Sequence, residues 1–209
     1  MNHLITQIAA SQIGTREEGG NNNGIPIRNY QRATNLKPAS WPWCAAFVDW
    51  VIREWLHTPG VTEWLNLQSS NPFKEWRPQT ALAYGFISWA KARPKTTIIL
   101  HDRELARPGD IVVFDFSHVG IVESDSGHQM ITIEGNTNGR GERDSESGDG
   151  VWRKARQKTI ARNFIRIRPA APQAATSCHK LTQPVDLQHR LVRLKIAFRK
   201  ECRFDPDRR

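Results

Sequence analysis

Helical spacing of apolar positions dominates the first hundred residues, and strand-like apolar runs dominate the next seventy or so. Leu4, Ile8 and Ile13, with alanines between them, predict a first helix ended by Gly14, and a short second helix lies over 28–34. From Cys44 to about Leu56 the chain is apolar nearly all round. Asp49 and Arg53, at i,i+4, form its single polar stripe, so this helix is expected to be buried in the middle of the domain. After the Thr58-Pro59-Gly60 break, Val61 to Leu67 predicts a short helix. Thr80 to Ala92 predicts another, with Leu82, Phe86 and Trp89 on one face and a stop at Arg93-Pro94. The rest of the span from His57 to Leu105 has no clear period and is expected to cover one flank of a cleft.

The texture then changes. Pro108-Gly109-Asp110 is a turn, Ile111 to Phe114 a continuous apolar strand, and His118 to Glu123 a second strand. Gln129 to Glu134 is a third, joined to the second by a hairpin loop centred near Ser126. Val151 to Arg153 and Asn163 to Arg168 read as closing strands. The expected class is α+β: an antiparallel sheet of about five strands packed on a central helix that starts at Cys44. Gly139 to Gly150 lacks apolar residues and is expected to be an exposed loop, either a flap over bound substrate or a plain hairpin connection.

Two of these elements carry chemistry. In Trp41-Pro42-Trp43-Cys44 the proline disfavours helix for the residue before it, so Trp41 approaches in extended form and Cys44 opens the helix. Unpaired amides and partial positive charge at a helix N-terminus favour thiolate over thiol, which places Cys44 as a nucleophile. A small buried hydrophobe would look the same on this stretch alone. His118 starts a strand, and antiparallel pairing about the Ser126 turn puts it opposite Glu134. A slip of two residues would bring Thr132 or Asn136 there instead. These are the parts of a Cys–His–acid constellation: nucleophile, base and a third group that holds the imidazole.

PWCAAFVDW, PGDIVVF with SHVGIV after it, and IEGNTN, in that order, resemble the CHAP amidohydrolase/peptidase family, close kin of the NlpC/P60 hydrolases and papain-like in fold. The upstream REEGGNNNGIPIRNY is similar to the lead-in of small phage and bacterial members. The resemblance spans about residues 1 to 168. It implies attack by cysteine on an amide of peptidoglycan, at the muramoyl–L-alanine link or within the stem peptide or cross-bridge. By position Cys44 carries over as nucleophile, His118 as base, Glu134 as orienter and Asn136 as a fourth polar member. Trp43, Asn22, Asn23, Tyr30 and Ser117 are the candidate substrate-binding residues, with Tyr30 in the place of an upstream tyrosine of NlpC/P60 relatives. The acidic calcium loop of some members is not visible, so no calcium and no other cofactor is expected.

Composition refines the picture. The 209 residues suit one well-packed domain, 1–168, and then a linker and basic extension, 169–209. Apolar content of 38% is modest, and eight tryptophans offset it in buried area per residue. The net charge of +9 is concentrated in the tail, where Leu187, Leu191, Leu194 and Phe198 at helical spacing alternate with Arg190, Arg193, Lys195, Arg199 and Lys200. That basic amphipathic helix suits an anionic partner or a docked, solvated helix. Cys44, Cys178 and Cys202 are an odd set and do not form a disulfide framework. The six other histidines show no metal-ligand spacing, no phosphate-cradling loop is present, and nothing beyond charge points to nucleic acid. No secretory signal or membrane-spanning run is read, and a monomer is expected. A wall substrate would then require release or delivery from the cytoplasm, as a phage lysin or a secreted effector, with a delivery or immunity protein as partner. Two other readings use the same chain: a cytosolic thiol peptidase or transferase acting on a non-wall peptide, and a catalytically silent binding protein that works through its basic tail.

Overall fold

A computed structural model describes residues 1–139 and 148–171. Six helices come first: α1 (Asn2–Ala10), α2 (Ile25–Gln31), α3 (Cys44–Leu56), α4 (Val61–Trp64), α5 (Pro72–Glu75) and α6 (Gly85–Lys91). The strands are β1 (Thr97–Leu100), β2 (Ile111–Phe114), β3 (Val119–Asp125), β4 (Gln129–Thr137), β5 (Gly150–Gln157) and β6 (Ala161–Ile167). They pair antiparallel in the order β1-β6-β2-β3-β4-β5. This is the α+β, papain-like architecture expected, with one strand more than anticipated. The extra strand, β1, is four residues long and pairs Thr97 with Ile167 and Leu100 with Phe164. Four residues are too few for an alternating pattern to stand out.

Both faces of the sheet are covered, which explains the unbroken apolar run of β2, whose four residues are all buried. Ile111, Val113, Val119, Ile121, Ile133 and Ile165 pack with the helices in the main core. Val112, Phe114, Val122, Met130 and Phe164 form a second, smaller core on the opposite face. The helix α3 is the centre of the main core, with ten of its thirteen residues buried and only Trp50, Arg53 and Glu54 partly outside. Tryptophans fill much of the remainder: Trp55 meets Trp64 edge-on at 6.0 Å and Trp76 meets Trp89 at 5.2 Å. Their indole nitrogens are not stranded, since Trp55 donates to the Met1 carbonyl, Trp76 to Thr96 and Trp89 to the Trp76 carbonyl.

Two expectations are corrected. Asp49 and Arg53 do not form a polar stripe, because Asp49 is fully buried and bonds Arg77 at 3.2 Å, while Arg53 turns to Glu54 at 2.8 Å. Arg77 is held in turn by the carbonyls of Phe73 and Ala33, so this guanidinium ties α3 to the irregular flank. The helix anticipated from Thr80 begins only at Gly85. Thr80 Oγ1 accepts the Leu82 amide at 3.2 Å and lies so close to Gly85 that a Cβ there would collide with it. The side chain therefore turns the backbone before the helix begins. Leu82, left outside the helix, is 70% exposed. The predicted linker and basic helix of the tail, Cys178, Cys202 and residues 140–147 of the loop expected from Gly139 to Gly150 lie outside the described residues.

Asp49 generates a test of pH dependence. Burial, opposed by Arg77, pushes its carboxyl up from 3.8 to about 7. Between those values the folded protein holds a proton that the unfolded chain has released, so this group's stabilising contribution is lost as pH rises through the window. Melting temperatures measured across that range should show a decline in wild type that Asp49→Asn flattens.

Candidate active site

The site is assembled where the start of α3 meets β3 and β4. Trp43 caps the helix in a non-helical conformation at φ −118°, and the first-turn pattern begins with the Phe47 amide bonding the Trp43 carbonyl at 2.9 Å. The amides ahead of Phe47 are left without helical partners, and no acidic residue in the first turn offsets their field. Cys44 is the first residue of this turn and is 6% exposed. Its position is fixed from behind. The Trp43 indole donates to Glu17 Oε1 at 2.7 Å and stacks on Tyr30 at 5.5 Å, and Glu17 Oε2 accepts the Asn22 amide at 2.8 Å. Contact with the sheet is close because Gly135 has no side chain: a Cβ there would fall 2.6 Å from Phe47 Cβ and 2.7 Å from the Trp43 ring.

His118 precedes β3 and is completely buried. Its ring lies parallel to Phe116 at 5.7 Å and tilted against Phe114 at 5.6 Å. Tyr84 donates its hydroxyl to the Asp115 carbonyl at 3.0 Å, fixing the loop that carries Phe116. Nε2 bonds Glu134 Oε2 at 2.9 Å, which leaves Nδ1 for Cys44. That second contact is looser than a formed hydrogen bond, as resting thiol–imidazole pairs often are. Burial alone would push the imidazole down, but the Cys44 sulfur and then the Glu134 carboxylate override it and raise the ring to about 9.

The register differs from the expected one. Ile121 pairs with Ile133 and Val122 with Thr132, so continuing the ladder sets Gly120 opposite Glu134 and His118 opposite Asn136, the slipped alternative. Next to the turn Ser124 pairs with Ile131 and Asp125 with Met130, so the hairpin is centred between Gly127 and His128 rather than at Ser126, and a bulge between Val122 and Ser124 then shifts the ladder by one residue. Glu134 still reaches His118, by leaning across Gly120, where a Cβ would lie 2.7 Å from Glu134 Cγ. Asn136 is 2% exposed at φ +54°, in the irregularity that interrupts β4 between Glu134 and Thr137.

Glu134 accepts more than the imidazole. Thr132 Oγ1 donates to Oε1 at 2.5 Å, and Arg156 makes a two-point contact through Nε to Oε1 at 2.9 Å and Nη2 to Oε2 at 2.6 Å. Burial would raise this carboxyl, yet the Arg156 and His118 bonds outweigh it and bring it to about 2. Sequence reasoning misses Arg156 altogether and meets Thr132 only as a possible partner of His118. Only Val151 to Arg153 read as strand there, whereas β5 runs on to Gln157, and the side-chain alternation that puts Arg156 on the Glu134 face shows only once that length is known.

Of the residues expected to line a substrate groove, the structure brings few to a surface. Trp43 and Tyr30 are core residues, with 0% and 2% exposure, and the Tyr30 hydroxyl is engaged by Gln12 at 2.9 Å rather than turned toward a cleft. Asn22 is buried in a left-handed turn at φ +56°. Asn23 is half-buried and receives Arg28 at 2.8 Å, and Ser117, beside His118, is exposed. Among the described residues no group of three His, Cys, Asp or Glu side chains is placed to hold a metal ion.

A buried helix opening with a cysteine, laid on an antiparallel sheet that supplies histidine and carboxylate, defines a papain-like α+β domain. Residues 36–136 match the model of the CHAP domain family, which supports a CHAP-domain protein. That family is one of hydrolases with peptidoglycan-related amidase or peptidase activity. The matched span includes Cys44, His118, Glu134 and Asn136 and ends before β5. No curated protein matches the chain.

The crossing of Glu134 over Gly120 is open to a direct check. Gly120→Ala puts a methyl group into the path of the carboxylate and should break the 2.9 Å bond to His118. Alkylation of Cys44 at neutral pH should slow by about tenfold or more, while the fold by circular dichroism is kept.

Proposed function

We propose that the protein is a peptidoglycan hydrolase that cleaves an amide bond, either as a muramoyl–L-alanine amidase or as a stem-peptide or cross-bridge endopeptidase. The observation that carries this reading is the continuous contact chain Cys44–His118–Glu134 inside a CHAP domain. A proton resident on His118 at neutral pH is one half of a thiolate–imidazolium pair. In the proposed reaction Cys44 Sγ attacks the amide carbonyl, and the Cys44 backbone amide helps hold the developing oxyanion. His118 gives its proton to the departing amine as the carbon–nitrogen bond breaks, leaving a thioester. Water then loses a proton to His118 and adds to the acyl carbon, which releases a carboxylate and restores the thiolate. Glu134 keeps the ring oriented and balances the imidazolium charge.

The cell wall is the proposed partner, and the site of action is the periplasm or wall, reached by lysis or delivery. The domain would extend over 1–168, with 169–209 as linker and basic extension. Digestion of purified peptidoglycan by wild type and Cys44→Ala, with products resolved by mass spectrometry, tests this. Free stem peptides are expected from an amidase and shortened muropeptides from an endopeptidase, with the variant inert in either case. No release by wild type would defeat the wall-hydrolase reading in favour of a peptide-directed thiol enzyme; equal release by both proteins would move the nucleophile elsewhere.

A further inference from the structure

Glu134 is not exposed to solvent, and its four hydrogen bonds come from three side chains, of which only His118 belongs to the proposed triad. Arg156 supplies two of them from β5, beyond the span that the family match covers. The guanidinium is itself 2% exposed. It lies 5.4 Å from the Phe114 ring centre and 6.0 Å from that of Phe116, the same two rings that pack on His118. Arg156 and His118 are thus seated against one aromatic pair and bonded to one carboxylate. We propose that Arg156 is a positioning residue that acts on the Cys44–His118 pair through Glu134, by locking the carboxylate in one orientation and keeping it ionised. The inference deepens the thiol-hydrolase reading and rests on it for its meaning in catalysis.

The chemistry favours arginine over any other cation. A planar fork matches both carboxylate oxygens at once, so it fixes the direction of the oxygen that faces Nε2, whereas a lysine would neutralise charge without setting orientation. Among the described residues, the charged and titratable groups around Glu134 are His118 from the start of β3, Cys44 from α3 beyond it, and Arg156 and Lys154 from β5. Lys154 donates to the Asn138 carbonyl at 2.8 Å and feels the charge of Glu134.

The test reads the pair with and without a wall substrate. Alkylation of Cys44 by iodoacetamide, monitored on the Cys44 peptide by mass spectrometry between about pH 4 and 9, is measured for wild type, Arg156→Met, Arg156→Lys, Glu134→Gln and the Glu134→Gln/Arg156→Met double variant. Loss of the guanidinium destabilises the anions it faces, so the acid limb of the profile should move upward by about one pH unit in Arg156→Met. It should not move further when Arg156→Met is added to Glu134→Gln. Turnover of peptidoglycan should fall by about 10- to 100-fold in kcat with KM little changed, and the double variant should be no slower than Glu134→Gln. Arg156→Lys should lie between wild type and Arg156→Met in both assays. A wild-type alkylation profile in folded Arg156→Met, or losses that multiply in the double variant, would overturn the proposal. If Arg156→Met does not fold, Arg156→Lys decides, and a wild-type profile with wild-type turnover is the overturning result. Absence of peptidoglycan turnover in every protein, with the alkylation shift present, would count against the wall substrate and leave the role of Arg156 standing.

Discussion

A carboxylate sealed from water must be neutralised by protons or by partners, and this fold neutralises Glu134 with partners. Burial would drive it toward the acid form, yet two bonds from Arg156, one from Thr132 and one from His118 keep it ionised. The charges then alternate through the site, guanidinium, carboxylate and imidazolium, with the imidazolium facing Cys44 at the helix start. An alternating line of buried charges is tolerable where none of its members would be alone, because each ion is compensated by the next.

The surrounding architecture serves that line by closeness of backbone rather than by added contacts. Gly120 lets the Glu134 side chain pass to His118, and Gly135 lets β4 come against Phe47 and Trp43, so the helix start and the sheet meet at the thiol. The two glycines sit on neighbouring strands, and each removes the Cβ that would have held the partners apart. Trp43 is a structural anchor: bonded to Glu17 and stacked on Tyr30, it holds the residue before Cys44 against movement. The N-terminal loop contributes to the site from behind, through the core.

The helix from Cys44 to Leu56 is legible because thirteen residues provide several turns of unbroken apolar character, and the three strands after Gly109 because each has its own run and turn signals. Cys44, His118 and Glu134 are legible as chemistry because residue type, order and local structure agree. The register between β3 and β4 is not, since the turn centres between Gly127 and His128 rather than at Ser126 and a bulge then adds a residue to β3, neither with any mark in composition. Nor are β1, the late start of α6, or the burial of Tyr30 and Trp43: tyrosine and tryptophan suit a groove and a core equally well.

Local pattern alone therefore determined the class of fold, the helix that opens with a cysteine, and the ordered set of thiol, imidazole and acid, because these depend on neighbours within a few residues. Tertiary structure decided which oxygen faces which nitrogen, that Glu134 crosses Gly120 to do so, that Asp49 pairs with Arg77 from the irregular flank, and that Arg156 completes the carboxylate's shell. These depend on partners 14 to 28 residues apart in sequence. Strand register, bulges and close packing of backbone set such distances, and no periodicity in the chain records them.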